Sequence, residues 1–243
     1  PLMEVANAWQ AVRNNVLGTL LVAECASGFA AERFVLISTD KAVNPTNVMG
    51  ATKRLAEMVC EALHQQGGVT QFEMVRFGNV LGSTGSVIPK FQEQIARGGP
   101  VTVTHKEITR YFMSIPESAQ LVLQAAAMGQ GGEIFVLDMG APVRIADLAR
   151  KMIHLSGYSE SEIRIEFTGL RPGEKLYEEL LADAEHTRQT PHPKLRIAQG
   201  RAVEEGFLEA LRPWLAQPCR SDSEVRAALM CRVPEYRPAS HDD

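Results

Sequence analysis

The chain has 243 residues, 45% of them hydrophobic and 22% charged, with a net charge of −4 at pH 7. This is the balance of a globular protein long enough to bury a real core. It gives no reason to expect nucleic acid or an anionic membrane surface as a partner. The longest apolar stretch, around residues 16–26, is interrupted by Gly18, Thr19 and Glu24, so no membrane segment is expected. No signal-peptide pattern is present either. Cys25, Cys60, Cys219 and Cys231 have no C-x-x-C spacing and no histidine at metal-ligand spacing. Reduced thiols, no metal and a cytoplasmic location follow as expectations.

Taken in chain order, apolar residues Val12, Val16, Leu20 and Ala23 recur at helical spacing over residues 5–25. Residues 32–38 are short and continuously apolar, the pattern of a buried parallel strand. A helix is predicted over 47–63, ended by Gly67-Gly68, then a strand over 71–77 and a glycine-rich loop over 78–86. Pro89 opens a predicted helix to Arg97, and Pro116 opens another through Met128, since proline loses nothing in a first helical turn. Strands are predicted over 101–104, 133–138 and 163–167, and helices over 145–155, 174–181 and 204–215. Beyond these the tail turns Pro- and Arg-rich and is expected to be disordered. His186 and His192 flank a proline-bearing loop and are read as solvent-exposed. Strands alternating with helices argue for a parallel α/β sheet.

The sequence contains no G-x-G-x-x-G; Gly129-Gln130-Gly131-Gly132 precedes a predicted strand and cannot be a phosphate-binding turn. The first half of a dinucleotide-binding fold is therefore expected to lie outside this polypeptide. One edge of its sheet would then be open to association, and the chain by itself poorly soluble.

The chemistry concentrates in Ser38-Thr39-Asp40-Lys41, at the end of a predicted strand, and in Met49 and Lys53 at the start of the next helix. Met49 and Lys53 share a helix face by their spacing. Read from the residues alone, Asp40 serves equally as a cap of the 44–47 turn and Lys41 as a surface lysine. Lys53 reads by default as a helix-surface lysine, and the 78–86 segment as an ordinary loop.

From Pro1 to about Lys194 the chain resembles the extended short-chain dehydrogenase/reductases that act on nucleotide sugars. More narrowly, it looks like the C-terminal part of the polysaccharide-biosynthesis UDP-N-acetylglucosamine 4,6-dehydratases. The resemblance rests on Asn15-Val16-Leu17-Gly18-Thr19, the Ser38–Lys53 run, Arg76-Phe77-Gly78-Asn79-Val80-Leu81-Gly82-Ser83, Thr109-Arg110-Tyr111-Phe112-Met113-Ser114, Arg171-Pro172-Gly173-Glu174-Lys175 and Val233-Pro234-Glu235-Tyr236. Where this family's smaller branch has tyrosine, its larger, membrane-anchored branch has methionine, which is the residue at position 49 here. None of Tyr111, Tyr158, Tyr177 and Tyr236 has a lysine four residues later.

The resemblance implies an α/β fold: the C-terminal portion of a Rossmann-like parallel sheet plus a smaller α/β substrate-binding domain. Residues 1–78 would form the second half of the dinucleotide-binding domain. Residues 79–198 would be mainly the nucleotide-sugar domain with some strands returning to the sheet, and 199–243 a C-terminal helix and tail. It implies NAD, in preference to NADP, as cofactor and a UDP-sugar as substrate, in surface polysaccharide or lipopolysaccharide biosynthesis. It further implies a homo-oligomer, or association through the sheet edge, and a place at the cytoplasmic face of the inner membrane if the protein is anchored.

In that reading Asp40 protonates the leaving C6 hydroxyl and Lys41 takes the C5 proton. Lys53 holds the nicotinamide ribose, with Ser38 and Asn15 on the cofactor side. Met49 neither takes nor gives a proton, so the C4 hydroxyl loses its proton elsewhere: Thr39 or Ser38 can line it, and Asp40 can accept it directly or through water. On the substrate side, loop N–H groups around Asn79 meet the diphosphate and Arg171 binds it in bidentate fashion, while Glu174 takes a ribose hydroxyl. Glu174 also suits a helix N-terminus, and Arg110 suits a strand-edge ion pair as well as substrate. A non-catalytic fragment that binds a nucleotide sugar or a partner, and an epimerase or reductase of the same superfamily, are the competing readings.

Overall fold

The computed structural model describes residues 7–83, 86–180, 186–199 and 202–238. Helix α1 (Ala8–Val12) passes through one π-helical turn, Arg13–Leu17, into α2 (Gly18–Gly28). Its buried stripe of Trp9, Val12, Val16, Leu20 and Ala23 is the one its periodicity predicts. Strand β1 (Arg33–Ile37) leads to helix α3 (Val48–Gln65), whose start is capped by the Asn47 side chain accepting from the Gly50 N–H at 2.8 Å. Strand β2 (Gln71–Arg76) follows, almost wholly buried.

The next segment is built from short pieces: β3 (Asn79–Val80), α4 (Val87–Ala96), β4 (Val101–Val103), β5 (Thr109–Arg110) and β6 (Phe112–Met113). Then come α5 (Ile115–Met128), β7 (Ile134–Leu137), β8 (Val143–Arg144), α6 (Ile145–Leu155) and β9 (Ile165–Phe167). A hairpin of β10 (His186–Gln189) and β11 (Leu195–Gln199) and two helices, α7 (Phe207–Leu215) and α8 (Asp222–Arg232), complete the described chain.

The main sheet has the order β1-β2-β7-β11-β10. β1, β2 and β7 run parallel, each reached by a helical crossover. β11 returns antiparallel to β7, and β10 antiparallel to β11, so the sheet is mixed where the strand-helix alternation predicts a parallel one. β1 stands at one edge, paired on one side only among the described residues, with Ile37 exposed there.

One apolar cluster lies between α1–α3, the sheet and α7–α8. A separate cluster around Phe91, Val101, Ile145 and Ile153 holds α4, β4, α6 and β9 together away from the sheet. A third, around Phe135 and Leu137, packs α5 on the other sheet face.

Several elements differ from the sequence pattern. The helix predicted over 174–181 is absent from the described residues 174–180, which form bends and irregular chain. Neighbours claim groups of that segment: the Leu176 carbonyl accepts from the Thr109 N–H at 3.2 Å, and the Lys175 side chain donates through Nζ to the Val43 carbonyl at 3.1 Å. Helix α4 begins at Val87, two residues before Pro89, which still sits in the first turn where no N–H is needed.

The tail is ordered well past Leu215. α8 opens on a complete capping box, Ser221 with Glu224, and Tyr236 beyond it is fully buried. The two tail helices are fastened to α1 by an edge-on contact of Trp9 with Trp214 at 5.5 Å between ring centroids, and Arg232 lies 4.6 Å over the Trp214 ring. Residues 239–243 of the expected disordered tail lie outside the described residues.

Glu73, in the middle of buried β2, carries a measurable consequence. One carboxylate oxygen pairs with Arg33 at 2.7 Å and the other is buried with no hydrogen-bond partner. Burial outweighs Arg33 and pushes this carboxyl up to about 7. The folded chain therefore holds the proton more tightly than the unfolded chain does. Glu73 contributes most stability below the unfolded glutamate pKa, and loses it as pH rises through about 7. Denaturant titrations at pH 5 and pH 8 check this. The loss between them is expected to shrink in Glu73→Gln, and an equal loss in both proteins would refute the assignment.

Candidate active site

The ladder that joins β1 to β2 continues past the end of β1. The Ser38 N–H donates to the Val75 carbonyl at 2.8 Å and the Asp40 N–H to the Phe77 carbonyl at 3.1 Å. These bonds fix Asp40 at the carboxyl end of the sheet, where open α/β sheets place their ligands. There the chain turns through a short 3₁₀ segment, Asp40–Ala42. Thr39 Oγ1 donates to Asp40 Oδ1 at 2.9 Å and accepts the Lys41 backbone N–H at 3.3 Å. Lys41 Nζ donates to the same Asp40 Oδ1 at 2.8 Å. Asp40 is 1% exposed, and its Oδ2 is buried without a partner. A buried carboxylate with one oxygen satisfied and the other unpartnered is an exception among buried polar groups and marks a candidate functional residue.

The turn is held against α3 by Gly50. A Cβ at that position would lie 2.0 Å from the Lys41 carbonyl oxygen, so only glycine lets helix and turn meet. On the other side Gly78 makes room for Asp40, since a Cβ there would lie 2.9 Å from Oδ2.

Met49 and Lys53 lie one helical turn apart on α3. Lys53 Nζ donates to the Ile37 carbonyl at 2.8 Å, at the end of β1. Burial lowers its pKa, against the pull of Glu57 and Cys60. Asn15 sits in the π-helical turn and donates to Thr52 Oγ1 at 2.9 Å, tying that turn to α3. Ser38 is brought to the site, but its hydroxyl is turned away from the open face. It donates to Glu57 at 2.5 Å.

Glu57 belongs to a charged cluster beneath the site that the sequence reading missed. Arg76 holds it in a two-pronged pair, Nε at 2.8 Å and Nη2 at 2.7 Å, with both side chains essentially unexposed. Arg54 bridges Glu57 at 3.2 Å, Glu61 at 2.7 Å and Glu235 at 3.6 Å. Burial alone would raise the Glu57 carboxyl; Arg76, Arg54 and Ser38 outweigh it and hold it below the ordinary range. The available signal was the occurrence of charges at positions 54, 57 and 61, spaced along one otherwise apolar helix face.

The substrate-side candidates converge on a cavity of about 250 Å³ lined by Asn79, Lys90, Thr102, Arg110, Arg171 and Glu174, among others. Its walls alternate apolar surface from Val103, Phe91 and Ile108 with cationic groups, a lining suited to a nucleotide's base and phosphates. Glu174 is not at a helix start. It closes the 171–174 turn by accepting the Arg171 N–H at 3.1 Å, and it pairs with Arg110 at 3.4 Å. Gly173, with φ of +71°, seats this turn on α3, where its carbonyl accepts from Asn47 Nδ2 at 2.9 Å. Arg110 is thus both a cavity-lining residue and the partner of two carboxylates, half-buried Glu174 and buried Glu178 at 3.6 Å. No cluster of potential metal ligands occurs among the described residues, and no described helix is long and apolar enough to cross a membrane.

The family described as polysaccharide biosynthesis protein matches residues 1–200. The chain belongs to that family. It is 63% identical over 195 residues to the capsular polysaccharide biosynthesis protein CapD of Staphylococcus aureus, covering 80% of this chain and 32% of CapD. It therefore spans about a third of that relative's length. Among solved structures it is similar to Pen from Bacillus thuringiensis, with 32% identity, a TM-score of 0.71, and coverage of 89% of this chain and 67% of Pen. The fold is also that of a dTDP-glucose 4,6-dehydratase from Bacillus anthracis solved in complex with NAD, at a TM-score of 0.58 and 16% identity, over 64% of this chain and 56% of that one. A Rossmann-like α/β fold of the short-chain dehydrogenase/reductase kind is thereby established.

Proposed function

We propose that this chain carries the catalytic and sugar-binding part of a nucleotide-sugar 4,6-dehydratase in polysaccharide biosynthesis, with UDP-N-acetylglucosamine as substrate and NAD as cofactor. The observation that carries the reading is the ion pair of partly exposed Lys41 with buried Asp40 at 2.8 Å, which uses one carboxylate oxygen and leaves Asp40 Oδ2 buried without a partner at the end of the sheet. The family match to a polysaccharide biosynthesis protein supports the same direction.

The described residues fit the nicotinamide end of such a cofactor. Lys53 offers a partly desolvated ammonium at the end of β1, close to the Asp40 turn. Bound NAD would supply oxidation at C4 and the matching reduction at C6, with no net redox change. The protein's own groups move the protons. Asp40 accepts the C4 hydroxyl proton and delivers one to the departing C6 oxygen, and Lys41 takes the C5 proton and returns it. Thr39, bonded to Asp40 Oδ1, orients the carboxylate for both tasks. Arg171 and the loop around Asn79 serve the diphosphate and Glu174 a ribose hydroxyl, all three lining the same cavity together with Lys90 and Thr102.

Mass spectrometry of UDP-N-acetylglucosamine incubated with protein and NAD tests this reading. The expected result is loss of one water, reduced at least ~100-fold in Asp40→Asn and in Lys41→Ala, the scale of a general acid or base. A product of unchanged mass with inverted C4 would identify an epimerase and overturn the proposal. A wild-type protein that binds the nucleotide sugar and leaves it unaltered would favour a non-catalytic role.

A further inference from the structure

The dehydratase reading leaves a deficit of proton sites. Asp40 and Lys41 rest as an ion pair at 2.8 Å, with one proton between them. Lys41 must be neutral to take the C5 proton. If its resting proton moved onto Asp40, Asp40 would have no capacity for the proton leaving the C4 hydroxyl. Met49, at the position where tyrosine would serve, has no proton site at all.

Glu178 lies on the other side of Lys41. Its side chain is 4% exposed, its Oε1 is 3.9 Å from Lys41 Nζ and 3.6 Å from Arg110 Nε, and its Oε2 is buried with no hydrogen-bond partner. It reaches this place because the 171–180 segment is laid across β5 instead of coiling into a helix. A buried carboxylate oxygen with nothing bound to it, beside a catalytic ammonium, is an open seat for a proton.

We propose that Glu178 is a positioning residue that acts through Lys41, holding the lysine's resting proton during turnover so that Lys41 is a free base while Asp40 remains free to receive the C4 proton. The inference rests on the dehydratase reading. The proton count closes. One N–H bond of Lys41 breaks and an O–H bond forms at Glu178, through one water across the 3.9 Å gap or once the two side chains close to hydrogen-bond distance. Asp40 then takes the C4 hydroxyl proton and gives it to the C6 oxygen, which leaves as water. Lys41 takes the C5 proton and returns it to C5, after which Glu178 restores the lysine to its ammonium form. Burial raises the Glu178 carboxyl above the ordinary glutamate range, and Asp40 raises it further. Lys41, Arg110 and Lys175, the cations facing it, pull it down.

Two partial reactions separate this role from a structural one. Dehydration of UDP-N-acetylglucosamine needs both proton sites, whereas C5 hydrogen exchange of the 4-keto-6-deoxy product in D₂O needs only a neutral Lys41, which Asp40 can provide. In Glu178→Gln, dehydration is expected to fall ~100-fold or more while exchange stays within a few-fold of wild type, with dehydration partly restored in Glu178→Asp. The acid limb of the dehydration pH profile should also move in Glu178→Gln. Equal loss of both reactions, or loss of neither, overturns the proposal.

A readout independent of turnover is carbon-13 NMR titration of the glutamate carboxyls, with Glu178 identified by its absence in Glu178→Gln. Its midpoint is expected above that of ordinary glutamates and higher still in Lys41→Met. An ordinary midpoint, unmoved in Lys41→Met, overturns the proposal even in an active enzyme. A wild-type protein that performs neither reaction while Glu178 titrates as expected would sink the dehydratase reading and leave the Glu178–Lys41 coupling standing.

Discussion

Gly50→Ala is expected to lower the proposed dehydratase activity ~100-fold, out of proportion to its effect on folding. The added methyl would meet the Lys41 carbonyl oxygen at 2.0 Å, well inside contact distance, and the obstacle is backbone, which no rotamer change can move aside. Either α3 shifts away from the Asp40 turn or the turn tilts. Both displace Asp40 and Lys41 relative to Met49 and Lys53, and misplacing reacting groups by about 1 Å costs about 100-fold in rate. In a helix interior the same change would ordinarily be stabilising, because alanine is the better helix former by about 1 kcal/mol. The check is a comparison of kcat with melting temperature. Activity near wild type would show that the helix–turn contact does not set the catalytic geometry.

The second large effect is expected on stability. Glu57→Gln removes the charge that pairs with Arg76, whose side chain is 1% exposed and has no route to water. Removing one partner of a buried ion pair costs about 3–5 kcal/mol, a large share of the roughly 5–15 kcal/mol that holds a typical domain folded. Arg54 would also lose one of its three carboxylate partners, and Ser38 its acceptor. Replacing both Glu57 and Arg76 with methionine should destabilise far less than the two single changes summed, since the buried charge and its counter-charge then leave together. Denaturant unfolding of the four proteins measures this coupling. Additive losses would show that the pair is solvated and energetically minor.

Much of the fold could be read from local pattern. The Val12–Ala23 stripe, the β1 and β2 runs and the Met49–Lys53 spacing obey helical or strand periods that neighbours along the chain impose. The Thr39-Asp40-Lys41 order is equally local. Once the strand ends there, the three groups lie within one turn and bond to one another. Position 221 was also legible and was overlooked: Ser221 three residues before Glu224 is a capping signature, and it starts α8. The 174–181 pattern failed for the opposite reason. Its helical spacing is real, but β5 and the Val43 carbonyl offer its polar groups partners that a helix would have to give up.

Residue types and spacing alone therefore determined the α/β class, the order of the main elements and the place of Asp40 and Lys41 at a strand end, while the acid and base roles proposed for them came from family resemblance. Only folding decided that Ser38 faces Glu57, that Arg76 meets Glu57 across the core, and that Glu178 lies beside Lys41. These pairings join groups far apart along the chain. No periodicity encodes them, because what selects them is the cost of burying a charge without its counter-charge, and that cost exists only once the segments have been brought together away from water.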